Sequence, residues 1–302
     1  MLKIMKLPIV AGLILALWQP GYGQEFEDFV SAYTGDNGTM YLQPLGDALG
    51  ANLNSNLFHS AIIPRMGFTL EIGIATSTVF VANKDKTFLA TPDPSFSPAN
   101  PADVPVTAPT VFGDTRSVTL EGVEGTATSF PGGIALDAVP VAIPQLRIGA
   151  VLGTDVTLRY FAIDIGEELG SLDLFGFGIR HSVSQYLPDV FPVDLAVGYY
   201  NQSLNLENFS ETSTSLFNVQ GSFKKGPLIV YSALGYESAD TNFSYTSTED
   251  DSEINIDLQT SSSIRFTLGA TLKLGAFFLN TDYNLGINNV LAVGIGLSFG
   301  EK

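Results

Sequence analysis

Eight charged residues lie where they could line the inside of a β-barrel. They occupy the same alternate positions as Gly, Ala, Ser and Thr within segments whose other positions are apolar. Because successive side chains of a strand point to opposite faces, this phase predicts that all eight face a lumen. They are Glu71, Arg147, Arg159, Arg180, Asp194, Arg265, Lys273 and Asp282. We predict that they pair to fill the interior, and the alternative is an electropositive constriction that selects anionic solutes.

Candidate catalytic groups are few. The chain has no cysteine, which excludes disulfides, thiolate metal sites and a thiol nucleophile, and it has two histidines, His59 and His181. A Ser–His pair of a membrane lipase would need His181, but its neighbour Ser182 points to the opposite face of a strand. We therefore predict no catalytic residue, no metal and no cofactor. An enzyme remains the third hypothesis, and lipid turnover after His181→Ala tests it.

Composition and charge narrow the classes of partner. The 302 residues are 45% hydrophobic and 15% charged, which is too apolar for a disordered chain. The net charge of −17 disfavours a phosphate-binding surface, so we expect no nucleic-acid partner.

The first residues have the pattern of a signal peptide. Lys3 and Lys6 precede an apolar run from Leu7 to Trp18, and the small residues Gly21 and Gly23 lie three and one positions before the predicted cut. This run is shorter than the roughly 20 residues that a membrane-spanning helix needs, which argues against an uncleaved anchor. We predict cleavage after Gly23, which leaves 12 basic and 31 acidic residues and a net charge near −19.

Period-two alternation defines the elements that must hold the eight charges. It is clearest where Leu291, Val293, Ile295, Leu297 and Phe299 alternate with small residues. Ten such segments lie between Met66 and Phe299. Two weak ones, around Ser117–Val123 and Ile134–Val141, bring the predicted number of strands to about twelve, with 10 to 14 compatible.

A membrane barrel explains this pattern better than a soluble β-sandwich. The second face is small rather than charged, and aromatic residues lie near strand ends, as in interfacial girdles. Tight turns tend to alternate with long polar connections at 201–214 and 238–263. This layout predicts an all-β, transmembrane antiparallel β-barrel with short periplasmic turns and both termini on the periplasmic side.

A short helix is predicted before the first strand. Leu45, Leu49 and Leu53 recur every four residues within Tyr41–Ala61. We interpret this segment as a plug in the lumen, and the alternative is a helix packed beneath the barrel. The predicted division is a signal peptide at 1–23, a plug or periplasmic segment at 24–64, and the barrel at 65–302.

Short motifs along the mature chain resemble those of an uncharacterised family of Bacteroidetes-type outer-membrane β-barrels. These motifs are Asp36-Asn37-Gly38, Met40-Tyr41-Leu42-Gln43-Pro44, Gly50-Ala51-Asn52-Leu53-Asn54, His59-Ser60-Ala61, Pro109-Thr110-Val111-Phe112-Gly113 and Pro144-Gln145-Leu146-Arg147-Ile148-Gly149. More distantly, a plug that precedes the barrel is similar to the FadL-type transporters of hydrophobic compounds. The resemblance implies an outer-membrane barrel and carries no activity over.

The sequence therefore predicts a barrel in the outer membrane of a Gram-negative bacterium. The first hypothesis is a passive channel for small or hydrophobic solutes, and the second is a structural or secretion-partner barrel with a closed lumen. Expected partners are outer-membrane lipid, lipopolysaccharide and, as a candidate ligand, a hydrophobic small molecule. We expect a monomer.

Overall fold

A computed structural model describes residues 36–166, 170–188, 192–207, 209–246 and 253–300. The predicted signal peptide at 1–23 lies outside these residues. The described chain forms one helix, α1 (Asp36–Leu53), and a closed antiparallel barrel of ten strands. The fold class expected from the alternation is thereby confirmed.

Fourteen strands follow α1 in chain order, and four of them belong to small hairpins outside the barrel. The strands are β1 (Thr69–Phe80), β2 (Thr87–Ala90), β3 (Val106–Pro109), β4 (Val118–Glu121), β5 (Ala127–Phe130), β6 (Ala138–Val151), β7 (Thr154–Gly166), β8 (Gly170–Ser182), β9 (Asp194–Leu206), β10 (Ser210–Lys225), β11 (Leu228–Thr246), β12 (Glu253–Leu274), β13 (Phe277–Leu285) and β14 (Val290–Phe299). The barrel closes through β1, which pairs with both β14 and β6.

The barrel has ten strands, which is two fewer than the preferred twelve and within the predicted range of 10 to 14. The weak segment at Ser117–Val123 contains β4, which pairs with β5 in a hairpin outside the barrel. The weak segment at Ile134–Val141 overlaps the start of β6. Because of Pro140 and Pro144, the sequence pattern predicts two separate strands where the structure has one. Both prolines lie where β6 pairs with β1 but not yet with β7, whose pairing starts at Gln145, so an unpaired strand edge is available for the residue that lacks an N–H.

The connections at 201–214 and 238–263 are also shorter than predicted. β9 continues to Leu206, and β10 begins at Ser210. β11 and β12 remain paired as far as Thr246 and Glu253. These extensions are polar on their outward face because they project beyond the apolar belt. Period-two hydrophobicity marks only the part of a strand that meets lipid, so the sequence pattern underestimates strand length.

Large apolar side chains of the barrel point outward. On β14, Leu291, Ile295 and Phe299 are 41%, 45% and 46% exposed, while Ala292 and Ser298 are 0% and 6% exposed. A soluble sandwich would bury the large side chains instead. This outward belt fits contact with lipid acyl chains. Among the described residues, no helix has both the length and the apolarity needed to cross a membrane.

The two ends of the barrel differ in their connections. At one end, the inner end, β6–β7, β10–β11 and β12–β13 are joined by two-residue turns. Gly153, Gly226 and Gly275 adopt φ of +69°, +61° and +62° in these turns, a region that favours glycine. The opposite, outer end carries the long insert at 81–137 and the extended β11–β12 hairpin. Short turns on the periplasmic side are typical of outer-membrane barrels, so we expect the inner end to face the periplasm.

The insert covers the outer end of the lumen. It contains both small hairpins and the proline-rich stretch Pro92–Pro109, predicted as an extracellular loop or constriction. Its apolar side chains share one core with α1 and the outer halves of β11 and β12. This core includes Tyr41, Leu42, Ala48, Val111, Phe112, Leu120, Phe130, Phe243, Ile256 and Leu258. The insert therefore packs on the plug and is more than a flexible loop.

One ion pair stiffens the exposed surface of the insert. The Asp114 carboxylate accepts hydrogen bonds from the Arg116 side chain, at 3.2 Å from Nε and 3.0 Å from Nη2, and from the Arg116 backbone N–H at 2.9 Å. These bonds lower the pKa of Asp114 to about 2. The pair therefore stays charged in mildly acidic media, where we expect this turn to keep its conformation.

The plug helix begins and ends earlier than predicted. It covers Asp36–Leu53, tolerates Pro44, and is followed by an irregular segment to Ile63 rather than by helix to Ala61. Its first turn lies at the outer end, not beside the periplasmic mouth. The irregular segment then passes along the lumen to the inner end, where Gly153 donates a backbone hydrogen bond to the Arg65 carbonyl at 3.2 Å.

A closed barrel predicts heat-modifiable electrophoresis. Purified in detergent and left unboiled, the protein is expected to run faster than the boiled sample and to give a β-type circular dichroism spectrum. The physical reason is that closure leaves no strand with a fully free edge from which detergent can unzip the ladder. Equal mobility of the two samples, together with solubility in detergent-free buffer, would contradict a membrane barrel.

Candidate functional site: the plugged lumen

Four arginines project from the barrel wall into the lumen. Arg147, Arg159, Arg180 and Arg265 are 4%, 1%, 2% and 1% exposed. They lie on β6, β7, β8 and β12. The residues next to each of them in the strand face outward. The lumen therefore has four fixed cations deep inside it, which must be neutralised or hydrogen-bonded.

Three of these arginines pair with buried carboxylates. Arg147 Nη1 lies 2.6 Å from Glu71 Oε2, and Arg265 Nη1 lies 2.6 Å from Glu237 Oε2. Arg180 forms a two-point ion pair with Asp155, in which Nε lies 2.9 Å from Oδ1. This arrangement favours the predicted pairing over an electropositive constriction.

Arg159 is different, since within the described residues no carboxylate lies in ion-pair range of it. It donates five hydrogen bonds to neutral acceptors instead. Two go to the side-chain oxygens of Gln145 at 2.8 Å and Gln202 at 3.1 Å. Three go to plug carbonyls: Leu53 at 3.0 Å, Ser55 at 2.9 Å and Asn56 at 2.7 Å. The Arg159 side chain thus binds the backbone of the plug at the point where α1 ends.

The end of α1 needs this help from the wall. The last carbonyls of a helix carry a partial negative charge, and the last turn of α1 contains no basic residue of its own. Arg159 contacts the carbonyl of Leu53, and Arg265 Nη2 contacts that of Ala51 at 3.3 Å. Arginines of the barrel therefore supply the positive charge that a lysine or arginine in the last turn of a helix usually supplies.

The wall holds the rest of the plug mainly through its backbone. Arg147 donates to the Leu57 carbonyl at 3.2 Å, Thr271 to that of His59 at 2.6 Å, and Arg180 to that of Ser60. Side-chain packing adds two apolar contacts: Leu57 and Phe58 lie among Tyr200, Leu216, Tyr231 and Ala233, and Ala61 and Ile63 pack with Ala196. The irregular segment is thereby ordered without regular secondary structure.

His59 completes a polar cluster near the inner end. Its Nε2 lies 3.0 Å from Glu71 Oε2 and 3.1 Å from Arg147 Nη1, and its ring stacks on Phe278 at 4.4 Å. A cavity of about 20 Å³ adjoins this cluster, lined also by Asn56 and Asn280. This volume holds a single water at most, so the plug fills this part of the lumen.

The other residues predicted to be functional lie at several depths. Asp282 is 3% exposed and accepts a hydrogen bond from Tyr231 Oη at 2.9 Å. Asp194 and Lys273 are half-buried near the inner rim, where Lys273 Nζ donates to Ser298 Oγ at 3.1 Å. The structure therefore brings Glu71 and the four arginines onto the plug, whereas Asp194 and Lys273 lie near the inner rim.

The three plug leucines all pack, though against different neighbours. Leu49 and Leu53 are 6% and 1% exposed. Leu53 joins Ile143 and Leu174 on the barrel wall, and Leu45 packs on the outer core. The helix thus lies inside the lumen rather than beneath the barrel.

Sequence reasoning missed two members of the site, Asp155 and Glu237. Asp155 was assigned to a turn, although it lies on the same alternate positions as Arg159. Glu237 ends the segment predicted as a strand, in phase with the inward Tyr231, and a bulge follows it before Ala239. Phase alone could have placed both inward, but it could not have shown which arginine each one meets.

Removal of the Glu237 charge is expected to destabilise the barrel strongly. Glu237→Gln would leave Arg265 buried without its counter-ion, which typically costs about 3–5 kcal/mol. Urea unfolding in detergent micelles, followed by tyrosine fluorescence, measures this. The matched control is Asp257→Asn on the exposed face of β12, where we expect a change below about 0.5 kcal/mol. Equal midpoints for the two variants would contradict the role assigned to the pair.

The structure does not bring His181 and Ser182 together. His181 Nδ1 lies 2.8 Å from Thr154 Oγ1 and Nε2 lies 3.0 Å from Tyr186 Oη, near the inner rim. Ser182 is 4% exposed and lies on the lumenal phase of β8, away from the imidazole. In the described part of the chain, no group of three or more His, Asp or Glu side chains is arranged to hold a metal ion.

Several solved outer-membrane proteins are similar to this chain at a low level. OmpT of Vibrio cholerae in its trimer form is 12% identical, with 78% of this chain and 100% of that chain covered and a TM-score of 0.27. The outer membrane protease OmpT from Escherichia coli is 7% identical, with 80% and 98% covered and a TM-score of 0.35. The Ralstonia pickettii toluene transporter TbuX is 8% identical, with 78% and 90% covered and a TM-score of 0.26. Such values carry no activity over to this chain.

Sequence comparison gives a family rather than a function. No curated protein matches the chain. The model of a family of unknown function, DUF6588, matches residues 1–299, and the chain therefore belongs to this family.

Proposed function

We propose that this protein is an outer-membrane β-barrel of a Gram-negative, Bacteroidetes-type bacterium that acts as a conduit for small solutes and is closed at rest by its plug. The observation that carries the proposal is the chemistry of the wall. Arginine, glutamine and threonine side chains meet the plug through hydrogen bonds to its backbone. Water could replace these bonds if the plug moved, which would leave a hydrated, charged lumen.

The polar inner half favours small hydrophilic solutes. A hydrophobic solute would instead meet the apolar outer core formed by α1, the insert and β11–β12. We therefore propose polar solutes as the main class. Lipid and lipopolysaccharide acyl chains are proposed to cover the outward belt of a monomer, after signal-peptide cleavage.

Planar-bilayer conductance tests the proposal. We expect the wild type to stay mostly closed and a variant with a weakened plug, Arg159→Met, to open frequently. Limited proteolysis of the same samples reports whether the plug has left the lumen. A variant whose plug becomes cleavable at 54–63 but which still conducts no ions would contradict the conduit.

A structural barrel is the second candidate, and the tight filling of the lumen favours it. Leu53 and Ala61, near the two ends of the irregular segment, are both 1% exposed. A barrel that serves only as an anchor or assembly partner would need no passage. In that case neither swelling of liposomes nor conductance would respond to plug variants, and a protein would co-purify with the intact barrel.

A further inference from the structure

The barrel wall has a seam in its outer half, between β6 and β7. These strands pair from Gln145 and Arg159 to the inner turn, but within the described residues 138–144 and 160–164 no pair joins the two strands. Both stretches are paired on their other sides, β6 with β1 and β7 with β8. The two strands therefore remain in the wall but separate on the outer side of the Gln145–Arg159 pair.

The sequence explains why the ladder stops here. Pro140 and Pro144 of β6 have no N–H to donate to β7. A backbone N–H left unpaired in hydrocarbon is costly, and a proline removes this cost because it removes the donor. Pro144 lies opposite Ile74 of β1, which lies opposite Ile295 in the lipid-facing belt of β14. The inner part of the seam therefore adjoins lipid.

The lumenal side of the seam is apolar. Val141 and Ile143 of β6 and Phe161 of β7 lie on the lumenal phase and pack with Leu53 of the plug and Leu174 of β8. Leu53, Ile143 and Leu174 are 1%, 2% and 1% exposed, whereas Val141 and Phe161 are only half-buried. Two apolar side chains at the seam thus keep part of their surface uncovered.

The chemistry of the seam favours a hydrocarbon chain over a peptide strand. Residues 140–144 and 160–163 include no charged side chain. A strand inserted here would need donors and acceptors on both sides, and β6 offers no N–H at Pro140 or Pro144. A hydrocarbon chain needs neither, and the lipid belt supplies one next to the seam.

We propose that the seam binds an acyl chain of a membrane lipid, which enters from the bilayer between β6 and β7 and packs on Val141 and Phe161. This site goes beyond solute passage, because its ligand enters through the wall while the plug stays in place. It also connects the bilayer to the end of α1. Leu53 belongs to the same apolar cluster, and its carbonyl accepts a hydrogen bond from Arg159.

Disulfide trapping tests whether the seam is open, because the chain contains no cysteine. In a ladder continued from Gln145 and Arg159, Ala142 would lie opposite Ala162. Ile148 and Val156 are opposite each other in the paired part of the same two strands and provide the matched control. During oxidation in lipid vesicles, we expect Ile148→Cys/Val156→Cys to form the disulfide at least tenfold faster than Ala142→Cys/Ala162→Cys. Equal rates on a non-reducing gel would show that the ladder continues and would overturn the proposal.

Photo-crosslinking tests the occupant. A benzophenone-bearing amino acid replaces Phe161, Phe217 in the outward belt, or Phe278, a lumenal side chain that is 6% exposed. Each full-length protein is placed in vesicles of phosphatidylethanolamine and phosphatidylglycerol, and lipid adducts are measured by mass spectrometry. Only protein with heat-modifiable mobility is compared. We expect the Phe161 position to give lipid adducts within about threefold of the Phe217 position and at least tenfold above the Phe278 position.

Two results of the crosslinking would overturn the proposal. One is a Phe161 position that gives no more lipid adduct than the Phe278 position. The other is a Phe161 position that crosslinks to this chain itself, for example to residues 24–35, in place of lipid. Neither experiment depends on conductance, so failure of the conduit and failure of the acyl-chain site are distinguishable.

Discussion

Replacing Arg159 by methionine is expected to release the inner part of the plug. The variant loses five hydrogen bonds at once and leaves three plug carbonyls without this charged donor. Buried acceptors left without partners cost about 1–3 kcal/mol each, and water entering the lumen offsets part of this. We expect a loss of about 3 kcal/mol in urea unfolding, measured in detergent micelles.

The same variant should change the accessibility of the irregular segment. Limited proteolysis is expected to cut within 54–63 at least tenfold faster than in the wild type. Arg159→Lys is the matched control, because it keeps the charge but loses the planar fork that reaches several acceptors at once. We expect its effect to be intermediate. An Arg159→Met protein with wild-type midpoint and cleavage rate would show that Arg159 does not fasten the plug.

A disulfide between helix and wall is expected to lock the plug in place. A Cβ built at Gly46 lies 3.5 Å from Thr241 Cβ, which is within the range of natural disulfides. The double variant Gly46→Cys/Thr241→Cys should therefore oxidise without large movement of the backbone. The bond closes a very long loop, so about 4 kcal/mol of added stability is expected.

The lock has its clearest effect when it is combined with Arg159→Met. Channel openings caused by that change should disappear in the oxidised triple variant and return on addition of a reductant. The control is Arg159→Met combined with Gly46→Cys alone, because it has the same substitution in the helix but no second cysteine. Openings that persist with the disulfide formed, as verified by a non-reducing gel, would mean that ions pass by a route other than plug release.

Period-two alternation put the four arginines, Glu71 and Asp282 on the buried phase of their strands, because the face of a strand residue follows from its phase, but it missed Asp155 and Glu237. It could not predict their partners. The contact between Arg180 and Asp155 depends on the register of β7 against β8, where these two residues lie opposite each other. Most acceptors of Arg159 are plug carbonyls, and the course of an irregular segment leaves no periodic signal in the sequence.

The outer half of the molecule was the least predictable part. Polar extensions of β11 and β12 lack a lipid-facing pattern, so they resembled a loop. The sequence pattern predicted β4 as a barrel strand because its composition is typical of a strand. Only long-range packing places the insert, with β4, over the lumen. The start of α1 lies five residues before the predicted one, where Gly38 and Thr39 interrupt the leucine repeat that indicated the helix.

The fastening of the plug by backbone carbonyls has an evolutionary consequence. Every residue type supplies a carbonyl, so most plug side chains can be exchanged without loss of the bonds to Arg147, Arg159 and Arg180. Gly50 is an exception, because a Cβ there would lie 2.5 Å from Ala239 Cβ. Among related barrels we therefore expect the lumenal arginines to change more slowly than those plug residues that the wall holds by their carbonyls alone. A divergent plug could then acquire new surface or solute specificity while the barrel that holds it stays the same.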